Sequence, residues 1–487
     1  MNRNSFMRFK ILNLVIISIL LNSCGQTQPL ELTEQNIAGN AANIPESNST
    51  GRPVYDPGEL VDYVAQTGDT LEALAAHFNT SVNEIRISNP NIPADATTMP
   101  PGMPMKIPIY YLPLWGSTYR IIPDNLFING PSAINFDTGE FILSQPGWLK
   151  NYQAYAADQT RSAAEIIDLV ALNFSVGPQM LLALIEYLSN GLSDPVQPET
   201  EYFLDYRDYD HEGLYLQLVW AANLLNNGFY GWRTGHLKPF EHPDGELERP
   251  DPWQNAATVA IQAFFLDEVM DSYHLAIGPD GIAQVFIELF GDPWELAEPH
   301  IPVSLQQPIF NLPFSSGESW TYTGGPHSGW GTLEPYTAID FAPPLTEGGC
   351  TPTGLWTTAI ADGQIVRSET GIVVLDMDRD GDERTGWNIF YLHVGTEDRV
   401  SKGVLVKQGD PIGHPSCEGG RSTGTHIHIA RKYNGEWIPA SGTLAFILEG
   451  WIPHDGTKPY LGTLTRGSET IIACDCSNLA SRITAGE

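Results

Sequence analysis

Cations are scarce in this chain of 487 residues: 25 Lys and Arg stand against 58 Asp and Glu, for a formal net charge of −33. A polyanion would be repelled, which excludes nucleic acid as a partner. Long apolar runs are missing too. The one near the N terminus, Ile11 to Leu21, falls short of the roughly 20 residues a spanning helix needs. From Gly25 to about Pro57 large apolar residues are few, and Gln, Asn, Pro, Ser and Thr take their place. Such a stretch cannot form a core and reads as a flexible tether. What is present in quantity is Trp (12) and Tyr (19), which together with few cations suits an exported protein handling carbohydrate and peptide. The length accommodates three domains behind a leader and a tether.

Arg3, Arg8 and Lys10 precede the apolar run, and Leu21, Asn22, Ser23 and Cys24 end it. Basic, apolar and then small residues are the order of an export signal. The ending is similar to a bacterial lipoprotein cleavage site. That resemblance implies a signal peptide over 1–23, lipid on Cys24, a tether over 24–58, and a membrane-anchored, extracytoplasmic protein of the cell envelope. The alternative is an ordinary secretory signal with an incidental cysteine.

Residues 59–110 hold VDYVAQTGDTLEALAAHFNTSVNEIRISNPNIP and then MPPGMPMKIPI. Two strand-like ends enclose two short helices: Thr70 caps the first, whose Leu71, Leu74, Ala75 and Phe78 form an apolar stripe, and Ser81 caps the second. Tyr63, Gly68, Asp69, Thr70, Asn89, Pro90, Gly102, Ile107 and Pro108 complete a pattern that closely resembles a LysM module. The resemblance implies a βααβ fold and binding to the glycan of peptidoglycan, carried by GDTL and the SNPN loop.

Residues 115–305 pattern as helices with no metal motif. Pro178 suits the first turn of MLLALIEYLSNG, Glu212 begins GLYLQLVWAANLLNNG with a glycine ending it, Asn255 caps AATVAIQAFFLDEVM, and Gly281 precedes IAQVFIELFG. The order of the first two weakly resembles lysozyme-like transglycosylases. That alignment puts Leu188 at the acid position and Glu186 two residues early, and a glycosidase needs a placed acid. The region therefore reads as a non-catalytic helical domain. The aromatics of NGFYGWR are open to either sugar stacking or core packing.

The chemistry lies in 308–467, where GGPHSGWG, YTAIDFAP, FYLHVG and STGTHIHIAR carry His327, Asp340, His393, His426 and His428. Two imidazoles and a carboxylate are the ligand set of a hydrolytic zinc site with an open position. THIHIA alternates, which places His426 and His428 on one face of a strand. Together with LPFSSGESW and KYNGEW, these segments resemble the lysostaphin-type zinc endopeptidases that cut bacterial cell-wall peptides. Most of that family has a histidine where Tyr336 stands. The β-lytic and staphylolytic branch instead carries it in a Gly-x-His-Ser segment, which GGPHS matches. The resemblance implies that His327, Asp340 and His428 hold one Zn²⁺, and that His393 and His426 flank the water and the scissile carbonyl, with their roles undivided. His414 and His454 read as loop or structural residues.

Cys350 follows the aspartate and Cys417 heads the glycine loop before the histidine pair, so a disulfide between them would brace the site, whereas the state of Cys474 and Cys476 stays open. In DMDRDGDERTG, Asp376, Asp378, Asp380 and Asp382 mimic the start of a calcium loop, but Trp387 stands where the bidentate glutamate belongs. Ca²⁺ there competes with a solvated acidic hairpin.

The expected architecture is thus multidomain: a small βααβ LysM module, a mainly α-helical middle domain, a mostly antiparallel β C-terminal metallopeptidase domain, and a tail over 468–487. Two functions follow. The chain is a zinc endopeptidase that hydrolyses peptidoglycan cross-links and is targeted by its LysM module. The alternative is a silent wall-binding lipoprotein that recruits or activates another hydrolase. All five functional positions are retained, which favours activity.

Overall fold

Runs such as GIVVLD and WNIFYL are apolar at nearly every position, and strands of that kind must be covered on both faces. The computed structural model, which describes residues 53–110, 116–267, 270–345, 347–474 and 478–486, meets this demand with a nine-stranded antiparallel sheet. In spatial order the strands are Leu405–Val406, Gly363–Glu369, Gly371–Asp376, Trp387–Val394, Ile427–Tyr433, Tyr336–Ala342, Ser319–Ser328 and Arg482–Thr484, with Glu436–Trp437 paired to Ile427–Tyr433 off this path. On one face Ile339, Phe341, Val373, Ile389, Ile427 and Ile429 fill a core with Trp320 and Phe446. On the other, Ala338, Val374, Phe390, Leu392 and Ala430 pack with the helices of the middle region. Strand alternation assigns Asp340 and His428 to this second face.

The helices of that region include Ala163–Phe174, Pro178–Ser189, Leu214–Thr234, Ala256–Phe264 and Ile282–Phe290, and the first and third of them meet the sheet, where Lys432 Nζ donates to Leu172 O and Trp437 N to Tyr230 OH. Two of their bounds differ from expectation. Gly228 does not end its helix, which runs on to a left-handed Gly235. A Cβ on Gly228 would come within 2.8 Å of Ala260 Cα, so this glycine serves the close approach of two helices. The helix after Asn255 stops at Phe264, and Met270–Ile277 is a separate element. The N terminus of Ala256–Phe264 is capped by Asp124 Oδ1, which accepts from Ala257 N at 2.9 Å. Asn255 is occupied in donating to Ile122 O and Asp124 Oδ1.

The LysM module forms as its caps dictate. Strands Glu59–Val64 and Pro104–Ile109 pair around helices Leu71–His77 and Val82–Ser88. Thr70 accepts from Ala73 N, and Ser81 closes a capping box with Glu84. Leu74, Phe78, Ile85 and Ile107 are fully buried beneath.

The segment after 467 is more than a tail. Glu469–Ile472 extends a three-stranded sheet, and Arg482–Thr484 pairs with Ser319–Thr321 at the edge of the large one. A three-residue edge strand needs one buried side chain, here Ile483, so little in its polar composition marks it. Among the described residues no helix is long and apolar enough to cross a membrane.

One cation ties the three regions together. Arg233, at the end of its helix, sits 3.1 Å from Asp124 of the middle region and 3.0 Å from Glu436 of the C-terminal domain. It also donates to the carbonyl of Thr67 in the LysM module. His300 Nε2 approaches the same Glu436 at 2.6 Å. Removing one partner from a buried cluster strands the rest without compensation. Arg233→Met should therefore lower stability by about 3–5 kcal/mol, read as a fall in melting temperature or denaturation midpoint. Adding Glu436→Gln to Arg233→Met should recover part of that loss.

Candidate metal centre

Register brings Asp340 and His428 to directly opposed positions on neighbouring strands. The strand carrying His327 shifts register at Gly324 and again at His327, which pairs with Ala338. A Cβ on Gly324 would lie 2.4 Å from Asp340 Oδ2, so a bare backbone there makes room for the carboxylate. His327 Nε2 and His428 Nδ1 each come within 3.3 Å of Asp340 Oδ1, and they are 3.0 Å from one another. All three side chains are buried.

Their other ring nitrogens face carbonyls: His327 Nδ1 lies 2.8 Å from Gly325 O, and His428 Nε2 lies 3.1 Å from Gly329 O. A carbonyl only accepts, so those nitrogens carry the protons. The two nitrogens turned inward are bare lone pairs, and Asp340 Oδ1 has no hydrogen-bond partner. Three buried acceptors in contact repel unless a cation joins them, and this donor set fits Zn²⁺. Burial opposes charge on Asp340, yet His327 and His426 beside it, when charged, hold its carboxyl well below the usual carboxylate range, a part that a cation takes over when the rings are neutral. Burial likewise pushes His428 below the ordinary imidazole value. An ionised Asp340 and an unprotonated His428 Nδ1 are the states that ligation needs.

His393 reaches the site through a bulge. Gly371 pairs with Val394 and Ile372 with Leu392, which leaves His393 as the extra residue, at φ +67°. Bulges re-aim side chains in this way. Its Nδ1 donates to Glu418 O at 2.8 Å, and its backbone carbonyl accepts from Ser416. Burial, with His426 and His428 nearby, pushes it down to about 3. His426 precedes the strand Ile427–Tyr433; its Nδ1 faces Gly424 O at 2.8 Å, and its Nε2 is 3.7 Å from Asp340 Oδ2. The two rings are 4.5 Å apart between centroids. The structure thus gathers His327, Asp340, His393, His426 and His428 around one point.

Cys350 and Cys417 form a disulfide that links the loop after Asp340 to the glycine loop before His426. Thr425 reinforces the junction by donating to Gly349 O and Thr351 O. Cys474 is also disulfide-bonded, whereas Cys24 and Cys476 lie outside the described residues.

Other candidates do not join the centre. Asp376, Asp378 and Asp380 approach one another, but Asp376 already accepts from the backbone of Asp378, Arg379 and Gly381. Asp382 turns to Arg384. The turn is closed by its own amides, and we assign it no Ca²⁺. Glu186 accepts from Leu192 N and Ser193 N after its helix, a structural use. Phe229, Tyr230 and Trp232 are buried, so they pack and do not stack on sugar. His414 rests against Trp356, and His454 bonds Thr465.

Sequence reasoning missed Tyr460. It stands in a turn between strands Ile452–Asp455 and Gly462–Arg466, and its ring stacks on His327 with centroids 4.0 Å apart. Its carbonyl accepts from Gly325 N. Nothing in KPYLG signals this contact, because a strand and a turn distant in sequence create it.

Comparison with known proteins adds lineage to this geometry. Residues 120–304 match the family described as LasA, N-terminal domain, and residues 63–108 match the LysM domain. Protease LasA of Pseudomonas aeruginosa is 26% identical over 338 residues, covering 66% of this chain and 75% of that protein. The beta-lytic metalloendopeptidase of Lysobacter enzymogenes is 26% identical over 137 residues, covering 28% of this chain and 75% of its own length. A solved structure, the M23 metalloprotease pseudoalterin, aligns at 24% identity over 34% of this chain and 96% of that one, with a TM-score of 0.30.

The purified chain should bind one Zn²⁺ per molecule in equilibrium dialysis. His327→Ala should weaken it by more than the 10–100-fold typical of losing a supporting partner. Because burial holds His428 down, acidification should release the ion only below about pH 6.5, the ordinary imidazole value.

Proposed function

As a lysostaphin-type metallopeptidase with a LysM module, the chain, we propose, is a zinc endopeptidase of the bacterial cell envelope that hydrolyses peptide cross-links of peptidoglycan. The observation that carries the metal part of this reading is the meeting of His327 Nε2, Asp340 Oδ1 and His428 Nδ1 in a buried space while the opposite nitrogen of each ring faces a backbone carbonyl. His327, Asp340 and His428 would hold the ion, which when bound would supply Lewis acidity toward the scissile carbonyl and the attacking water.

The chain's own groups then divide the proton work. His426 and His393 both commit Nδ1–H to a backbone carbonyl, which leaves each Nε2 free to accept. Burial holds His393 down to about 3. His426 is the more exposed of the two and has Asp340 Oδ2 at 3.7 Å to stabilise its protonated ring. His426 therefore takes the proton of the attacking water and returns it to the leaving amine. His393, fixed by its bulge, orients the reacting groups.

The rest of the chain addresses the enzyme to its polymer. The LysM module binds glycan strands while the metal site takes the peptide. Residues 1–23 act as a signal peptide, and Cys24 carries the lipid that holds the chain, through its tether, to a membrane.

Purified peptidoglycan should release new amino groups when incubated with the zinc-loaded chain, and a chelator should stop it. His426→Ala should retain zinc yet lose about 10²–10⁴-fold in rate. A zinc-loaded wild type that releases no amino groups from any peptidoglycan would establish a silent binding protein instead.

A further inference from the structure

The LysM module is not a free appendage. The segment Ile301–Leu305, which leads from the helical region into the C-terminal domain, lies along the module's edge beside the GDTL turn. Ile301 N donates to Thr67 Oγ1 at 3.1 Å, and Thr67 Oγ1 faces Ile301 O at 3.4 Å. Thr98 Oγ1 donates to Pro302 O at 2.7 Å and accepts from Leu305 N at 2.9 Å. Thr97 Oγ1 donates to Leu305 O at 2.6 Å, and Ser304 N donates to Thr98 O at 3.0 Å. The two loops that supply these hydroxyls are held together by Met99 N donating to Asp69 O. Each of these hydrogen bonds from the edge meets a peptide N–H or C=O of the strap.

That chemistry has a counterpart. The acetamido group of an N-acetylhexosamine offers the same pair, one N–H and one C=O, joined as in a peptide. An edge whose three threonine hydroxyls grip successive peptide groups is suited to grip successive acetamido groups. The strap meanwhile is anchored from its other side: Ile301 and Leu305 are buried in a cluster with Ile438 of the C-terminal domain, while Val303 between them is 54% exposed.

We propose that Ile301–Leu305 occupies the module's glycan site as an internal mimic, so that strap and N-acetylhexosamine polymer compete for Thr67, Thr97 and Thr98. Glycan binding and release of this strap from Thr67, Thr97 and Thr98 are then one event, while the module stays tied to the helical region through Arg233, Trp232 and Trp253. The inference rests on reading the module as glycan-binding.

Ser304 is the place to test it. It sits at φ +47° and donates its N–H to Thr98 O, and proline can adopt neither feature. Titrating the full chain with the hexamer of N-acetylglucosamine, Ser304→Pro should bind at least tenfold tighter than wild type. The double variant Ile301→Ala with Leu305→Ala, which loosens the opposite anchor, should shift in the same direction. In the unmodified chain, saturating hexamer should speed hydrogen exchange at the amides of Ile301, Ser304 and Leu305, a readout that needs no variant to fold. Equal affinity in all three proteins, with those amides still protected, overturns the strap and leaves glycan binding intact. No binding by any of them overturns both.

Discussion

A carboxylate oxygen caught between two imidazole lone pairs is the constraint around which this molecule is built. Asp340 Oδ1, His327 Nε2 and His428 Nδ1 meet in a buried space with their protons directed elsewhere, an arrangement that is repulsive alone and stable around a dication. The folding apparatus for it is visible nearby: a glycine opposite Asp340, carbonyls that fix each ring tautomer, and a disulfide that holds the two adjoining loops. Partners of this kind orient metal ligands and tune their basicity.

The sheet that carries the centre is covered on both faces, and the second cover comes from outside the C-terminal domain. Phe390, Leu392 and Ala430 lie on the same side as the metal ligands and pack into the core of the helical region. The loop following His327 is gripped as well, with Trp330 against Phe174 and Phe390 and Thr332 N donating to Asn223 Oδ1. Since Gly329 in that loop accepts from His428, the helical region sits one residue from a contact that orients a ligand. The Arg233 cluster extends the connection to the LysM module. Position of the site and cohesion of the regions thus draw on the same interfaces.

Much of this was legible in the residues. Alternation in THIHIA pointed to a strand bearing His426 and His428, and the resemblance to the lysostaphin-type endopeptidases added His327, Asp340 and His393, which the structure brings close to them. Capping chemistry at Thr70 and Ser81 specified the small module. What stayed hidden arises between distant segments. The bulge at His393 depends on a mismatch of two strands, and the stacking of Tyr460 depends on a loop 133 positions beyond His327 folding back (460 − 327). Gly228 looked like a terminus because sequence does not reveal that another helix passes against it. The acidic turn at Asp376 imitated a cation loop, since backbone amides can satisfy the carboxylates that an ion would use.

The most direct measurement is anomalous diffraction at the zinc absorption edge from crystals of the zinc-loaded chain. The account predicts a single peak at about 2.0–2.2 Å from His327 Nε2, Asp340 Oδ1 and His428 Nδ1. A peak at another set of donors, or crystals grown with zinc in which His327 and His428 share a proton and no peak appears between them, would contradict it.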